Sequence, residues 1–278
     1  MKILVTGANG YIGRHIVSEL LDMGHQVIAC DLVVSNNIDE RAKKVELDLF
    51  SASEDIFNRV GEPDVCIHLA WRDGFVHNSK RHLGDLSEHF RFLTSMIDGG
   101  LKHLVVMGTM HEVGYHEGAI DENTPCNPLS MYGIAKDALR RAMLLYCKSN
   151  NCILQWCRAY YILGDDKNNH SIFTKLLEAD AAGKETFPFT TGKAKYDFIG
   201  VTELAHQIAC VATQEEVTGI INCCSGKPVS LAERVEQYIA EHGLKIKLDY
   251  GAYPDRPYDS PCVYGDTKAL SQVLLLRK

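Results

Sequence analysis

The sequence predicts an α/β fold, a doubly wound parallel sheet with a smaller C-terminal lobe beside it. Three observations lead there. Short apolar runs rich in Val, Ile and Leu alternate with helix-period segments over the first half of the 278 residues, the rhythm of a sheet covered by helices on both faces. A glycine-spaced turn, TGANGYIG, follows the first of those runs and opens the first helical segment, the setting of a strand-turn-helix unit. After Gly164 the strict alternation lapses, and Gly- and Lys-rich loops take its place.

Taken in order, strands are expected at 2–6, 26–30, 44–47, 65–69, 103–107 and 153–158, each a short apolar or β-branched run. Helices are expected to start near Tyr11, Ser51, Lys80 and Leu129. Within 80–98, Leu83, Leu86, Phe90, Leu93 and Ile97 recur at steps of three and four, which predicts one continuous helical stripe. Beyond Gly164 the expectation is loops across 183–195, a helix over 202–213, a strand around 220–223 and a helix over 231–241. The division expected is 1–163 for a nucleotide-binding domain and 164–278 for a substrate-binding lobe interleaved with elements that return to the core.

Composition narrows the function classes. With 29 Lys and Arg against 36 Asp and Glu the formal charge is −7, which argues against nucleic acid, whose binders draw affinity from clustered cations. No apolar run approaches the roughly 18 to 20 residues that cross a bilayer. The first strand begins at Lys2, where a leader would sit, so a cytoplasmic protein with no membrane attachment is expected. The ten cysteines then read as reduced thiols rather than a disulfide framework. Neither they nor the 12 histidines show metal-ligand spacing, and no metal is expected.

Gly7, Gly10 and Gly13 separate an apolar run from a helical segment. Unpaired amides at the helix N-terminus, with no Cβ at Gly7 and Gly10, would admit a pyrophosphate, and Gly13 would let the helix pack on the strand. Asp31 closes the second strand about 20 residues downstream, where a carboxylate accepts ribose hydroxyls and repels a 2′-phosphate. These residues point to NAD, with NADP as the alternative. Glycines that serve only a tight turn, and an Asp that merely ends a strand, would leave the same pattern.

The stretch SMYGIAKDALRRA sets Tyr132 and Lys136 four apart in a helical pattern, on one face and one turn from each other. A phenol with its ordinary pKa near 10 is a poor acid-base group at neutral pH, but a neighbouring ammonium and a cationic nicotinamide both favour its anion. Lowering it by about 3 units takes roughly 4 kcal/mol, within reach of two cations in a partly dry cleft. Thr109, at the end of the fifth strand, could hold a substrate oxygen beside Tyr132.

Together these residues resemble the extended short-chain dehydrogenase/reductase family, and within it the NAD-dependent epimerase/dehydratase group that acts on nucleotide sugars. The likeness spans nearly the whole chain. It is carried by TGANGYIG, Asp31, the LDL containing Asp48 and Leu49, HLAW from His68 to Trp71, MYGIAK, YDFIGVTELA around Asp197 and Phe198, and DRPYDSPCVYGDTKAL. The resemblance implies a Rossmann domain and a cofactor site of Gly7, Asn9, Gly10, Tyr11, Ile12, Gly13, Asp31, Asp48, Leu49, Leu69, Ala70 and Trp71, completed by Tyr132 and Lys136. It also implies that Arg256 binds the diphosphate of a sugar nucleotide; an exposed arginine between two prolines is the plainer reading.

Three departures shape the expectation. Val113-Gly114 stands where the family has Tyr-Gly, so Thr109 is the hydroxyl residue by register, and a one-residue shift would substitute Met110. Met110-His111 replaces the Asp-Glu pair of sugar-nucleotide dehydratases, so elimination is not expected. Tyr161 replaces the family's Asn after the sixth strand, so the substrate should sit differently from that of common 4-epimerases. His111 either touches the substrate or is a solvated loop residue.

The reading implied is an NAD(P)-dependent oxidoreductase of a nucleotide-diphosphate sugar, expected to be a 4-ketoreductase. Tyr132 would donate the proton, Thr109 would orient the ketone, and Lys136 would hold the nicotinamide ribose. A 4-epimerase with retained NAD is the alternative, and a dinucleotide-sensing protein without catalysis is a second. The resemblance also implies a homodimer, through the stripe from Leu83 to Ile97 and the face formed by Ala135, Ala138, Ala142 and Leu145.

Overall fold

A computed structural model describes residues 1–51, 55–164, 171–255 and 260–276. In chain order the first half comprises β1 (Lys2–Thr6), α1 (Gly13–Asp22), β2 (Gln26–Asp31), β3 (Lys43–Glu46), α2 (Ile56–Arg59), β4 (Val65–His68), α3 (Arg81–Gly84), α4 (Leu86–Asp98), β5 (His103–Thr109), β6 (Gly118–Ile120), α5 (Met131–Ser149) and β7 (Ile153–Ala159). There follow β8 (Tyr161–Leu163), α6 (Ile172–Ala181), β9 (Thr186–Pro188), β10 (Lys195–Gly200), α7 (Val201–Ala212), β11 (Gly219–Cys223), β12 (Pro228–Ser230), α8 (Leu231–Glu241), β13 (Lys247–Asp249), β14 (Cys262–Gly265) and α9 (Lys268–Leu275).

Seven strands form one parallel sheet in the order β11-β7-β5-β4-β1-β2-β3. Period-two alternation decides which side chain serves which face. Ile3 and Val5 of β1 pack with Ile16, Val17 and Leu20 of α1 and with Leu204 and Ile208 of α7. Leu4, from the same strand, packs in the other layer with Phe92, Leu93 and Met96 of α4 and Leu139 and Met143 of α5. The chain reverses its winding at β1, between β2 and β4, and a crevice opens there at the carboxyl ends of the strands.

The expected doubly wound parallel sheet is therefore present, and its strands lie where the apolar runs lie except at the exposed edge strand β3, which reads KKVE. Elements α7, β11 and α9, all beyond residue 164, pack into this layer. The rest builds a second sheet, β12-β10-β14-β6 with β8 on β10, and a β13-β9 pair. Asp197 of β10 knots that second sheet together. Its buried carboxylate accepts from Ser225 N (2.8 Å), Gly226 N (2.9 Å) and Gly265 N (3.1 Å).

Three expectations are corrected. The single stripe over 80–98 is broken at Asp85 into α3 and α4, and it does not bury one face. His89, Phe92, Leu93, Met96 and Ile97 face the core, while Leu83 and Phe90 are exposed. The face expected on α5 divides in the same way, with Ala135 in the core but Ala138 and Leu145 outside. The loops expected over 183–195 include the short strand β9, which closes on β13. Among the described residues no helix is long and apolar enough to cross a membrane.

Candidate active site

The crevice widens into a cleft of about 2290 Å³ between the main sheet and the second lobe. Ligand pockets for one small molecule run to about 1,000 Å³, so this one has room for two ligands side by side. One wall is the turn after β1. Gly7 has φ +69°, and a Cβ there would lie 2.7 Å from Ala70 N. At Gly13 a Cβ would lie 2.1 Å from Gly7 O. The turn is therefore closed to side chains and leaves backbone facing the cleft, as close approach of a phosphate requires.

Gly7, Gly10, Tyr11, Ile12, Gly13, Asp31, Asp48, Leu49, Leu69, Ala70 and Trp71 all line this cleft. Asn9 faces elsewhere: its side-chain oxygen accepts from Ser35 Oγ at 2.5 Å, and its backbone N–H donates to Asp31 Oδ2 at 2.9 Å. Asp31 also takes the Leu32 N–H on Oδ1 (2.8 Å), and each oxygen keeps a second lone pair for a hydroxyl. Tyr11 reaches across the cleft and donates to Gly164 O at 2.5 Å.

Opposite the turn, α5 begins at Ser130, whose Oγ accepts from Gly133 N at 3.1 Å as an N-cap. That fixes the first turn and sets Tyr132 and Lys136 on the cleft wall. Thr109 also lines the cleft, its hydroxyl beside the Tyr132 phenol, whose pKa it lowers. The Tyr132 ring is surrounded by His77 (5.5 Å, stacked), His82 (5.2 Å), His111 (6.1 Å) and Trp71 (6.1 Å). His111 and Tyr161 both line the cleft, and burial pulls His111 down to about 4, so its imidazole is neutral. Arg256 lies outside the described residues.

The electrostatics differ from the simple picture of an ammonium beside a phenol. Lys136 Nζ donates to Met107 O at 2.7 Å and sits 3.9 Å from the centre of the Trp71 ring. Burial lowers Lys136 to about 7, so near neutral pH it carries only part of a charge. Burial and the Glu112 carboxylate push the Tyr132 phenol above its ordinary value, and only the Thr109 hydroxyl opposes them. The chain alone therefore holds a neutral phenol, and the activation expected of Lys136 is not supplied by its own charge.

Sequence reasoning overlooked several groups. His68 and His89 are buried behind the cleft, joined through Nε2 and Nδ1 at 3.0 Å, with Thr6 Oγ1 on the other His68 nitrogen at 2.9 Å. Trp71 stacks on His89 (4.3 Å, 11°) and donates its indole N–H to His82 at 3.0 Å. His68 lay within the HLAW motif, but nothing in its spacing signals the partner 21 residues away. Glu112 was passed over because a Glu in a predicted loop ordinarily faces solvent, whereas here it has no exposed surface.

A family model for the NAD dependent epimerase/dehydratase family matches residues 3–224. The dTDP-6-deoxy-L-talose 4-dehydrogenase (NAD(+)) of Aggregatibacter actinomycetemcomitans is 47% identical over 269 residues, which cover 95% of this chain and 99% of that one. The UDP-glucose 4-epimerase of Neisseria meningitidis serogroup B is 25% identical over 308 residues, covering 95% and 89%. Among solved structures, the UDP-glucuronic acid 4-epimerase of Bacillus cereus, in complex with UDP-glucuronic acid and NAD, superposes with TM-score 0.83 at 20% identity over 99% of this chain and 93% of that one. The family model over residues 3–224 and the near-full-length relative show that the chain belongs to the NAD dependent epimerase/dehydratase family.

Proposed function

We propose that this protein is an NAD-dependent dehydrogenase that interconverts the C4 alcohol and C4 ketone of a dTDP-linked 6-deoxyhexose. The observation that carries this reading is the contact of Thr109 with Tyr132 on the wall of a two-ligand cleft, opposite a side-chain-free glycine turn. The near-full-length likeness to a dTDP-6-deoxy-L-talose 4-dehydrogenase supports the sugar class and names the oxidative direction. A 4-ketoreductase is the same step run backwards, so the residues keep their roles in either direction.

The residues present fit NAD. Gly7, Gly10 and the start of α1 would hold its pyrophosphate, and Asp31 would accept the adenosine ribose hydroxyls and disfavour a 2′-phosphate. When bound, NAD supplies the hydride acceptor for oxidation and, reduced, the donor for the reverse. Thr109 holds the C4 oxygen of the sugar. Tyr132 would lose its phenolic proton once a cationic cofactor lies beside it; as the phenolate it takes the hydroxyl proton as the C4 hydride leaves, and as the phenol it returns that proton in reduction. Lys136 exchanges Met107 O for the nicotinamide ribose, and His111, neutral and on the wall, offers a hydrogen bond to the sugar. Arg256 is proposed to meet the diphosphate.

The phenol makes the test direct. Replacing Tyr132 by Phe removes one oxygen and should lower kcat by about 100-fold or more, while NAD affinity measured by titration stays within about twofold of wild type. Wild-type kcat in Tyr132→Phe would remove the assignment.

A further inference from the structure

Glu112 has no part in the hydride or proton steps above, yet it is wholly buried and touches the end of β5 that carries Thr109. Its Oε1 accepts the Thr109 N–H at 2.7 Å and the Trp156 indole N–H at 2.9 Å. Its Oε2 faces Arg158 Nη2 at 3.4 Å and Arg140 Nε at 3.6 Å. Burial pushes the Glu112 carboxyl up, and its four donor neighbours, two of them guanidiniums, pull against that and favour the carboxylate. The preceding residue is shaped for this contact: a Cβ on Gly108 would lie 2.8 Å from Glu112 Oε1 and 2.1 Å from Trp156 Nε1.

Thr109 is pinned at two places. Its N–H is held by Glu112, and its hydroxyl oxygen accepts the His111 N–H at 3.3 Å while lying beside the Tyr132 phenol. Rotation of the Thr109 backbone would carry its hydroxyl off the phenol. We propose that Glu112 is the positioning residue of this site, holding the Thr109 main chain so that the Thr109 hydroxyl meets both Tyr132 and the C4 oxygen of the sugar. The proposal rests on the reading that Thr109 and Tyr132 carry the proton step.

Two substitutions separate positioning from a plain structural ion pair. Glu112→Asp keeps a charge for Arg158 and Arg140 but draws the carboxylate back from Thr109 N by about one bond length. Glu112→Gln gives up the charge but keeps the reach and an acceptor for Thr109 N–H. A reacting group misplaced by about 1 Å can cost on the order of 100-fold. With dTDP-6-deoxy-L-talose and NAD, positioning therefore expects Glu112→Asp to lose at least about tenfold in kcat at an NAD KM within about twofold of wild type, and Glu112→Gln to stay within about threefold.

The opposite order, Asp near wild type and Gln impaired, means a structural ion pair and overturns the proposal. Should Glu112→Gln fail to fold, the pair Glu112→Asp and Thr109→Ala decides. If Glu112 acts through Thr109, adding Glu112→Asp to Thr109→Ala costs no further kcat, and a full second loss overturns the proposal. Thr109→Ala alone at wild-type kcat would instead remove the underlying reading, whatever Glu112 does.

Discussion

At the residue scale the unusual feature is how much neutral polar material lies behind the reacting pair. His68 and His89 are about 1% exposed, and burial pulls them down to about 3 and about 2 from an ordinary 6.5. Because both folded values lie below the unfolded ones, the unfolded chain holds more protons as pH falls beneath 6.5. Their contribution is thus complete above that value and is lost on acidification. Each costs at most about 1.4 kcal/mol per pH unit, so together they take up to about 3 kcal/mol per unit between pH 6 and pH 5. Urea unfolding at the two pH values checks this. His89→Phe, which keeps an aromatic ring under Trp71, should lower that slope by one histidine's share, up to about 1.4 kcal/mol per unit; an unchanged slope would show that His89 is not part of its source.

The same scale shows what a sequence can disclose about a site. Tyr132, Lys136 and the glycines were legible because their chemistry depends on local spacing, four residues on a helix or three within a turn. Glu112, His82 and His89 were not, because their meaning comes from partners brought near by the fold, such as Trp156, 44 residues from Glu112. Charge was harder still. A Tyr and a Lys one turn apart suggest an ammonium tuning a phenol, but burial lowers Lys136 to about 7 and its Nζ donates to Met107 O.

At the element scale, the parallel strands were readable because burial on both faces demands uninterrupted apolar runs, whereas the strands of the second lobe are short. β6, β8, β9 and β12 have three residues each, too few for a period to show. Asp197 holds that lobe by accepting backbone amides from the 225–226 turn and from the end of β14 rather than by any pattern a window could detect. Helix faces carry a further expectation. Leu83 (46% exposed), Phe90 (37%) and Leu145 (71%) project from α3, α4 and α5, and the Phe90 and Tyr146 rings meet at 6.0 Å between α4 and α5. We propose that this face pairs with its mate across a two-fold axis in a homodimer. Sedimentation velocity at micromolar concentration should show a dimer that Leu145→Glu converts to monomer; a wild-type monomer would contradict it.

At the scale of the whole molecule, the reversal of winding at β1 opens the crevice, the glycine turn and Asp31 border it on one side, and α5 presents Tyr132 on the other. The second lobe covers this crevice with Tyr161, Phe189 and Tyr253 among the lining residues, which leaves space for a nucleotide sugar beside a dinucleotide. Fold class follows from the alternation of strands and helices; the reaction's direction does not, since the same groups serve oxidation, reduction and epimerisation. The measurement that bears most directly on the central claim is the stoichiometry of cofactor turnover. With dTDP-6-deoxy-L-talose and NAD, one NADH should appear for each 4-keto sugar formed. Conversion of the sugar to its C4 epimer with no NADH released would contradict the dehydrogenase and establish an epimerase.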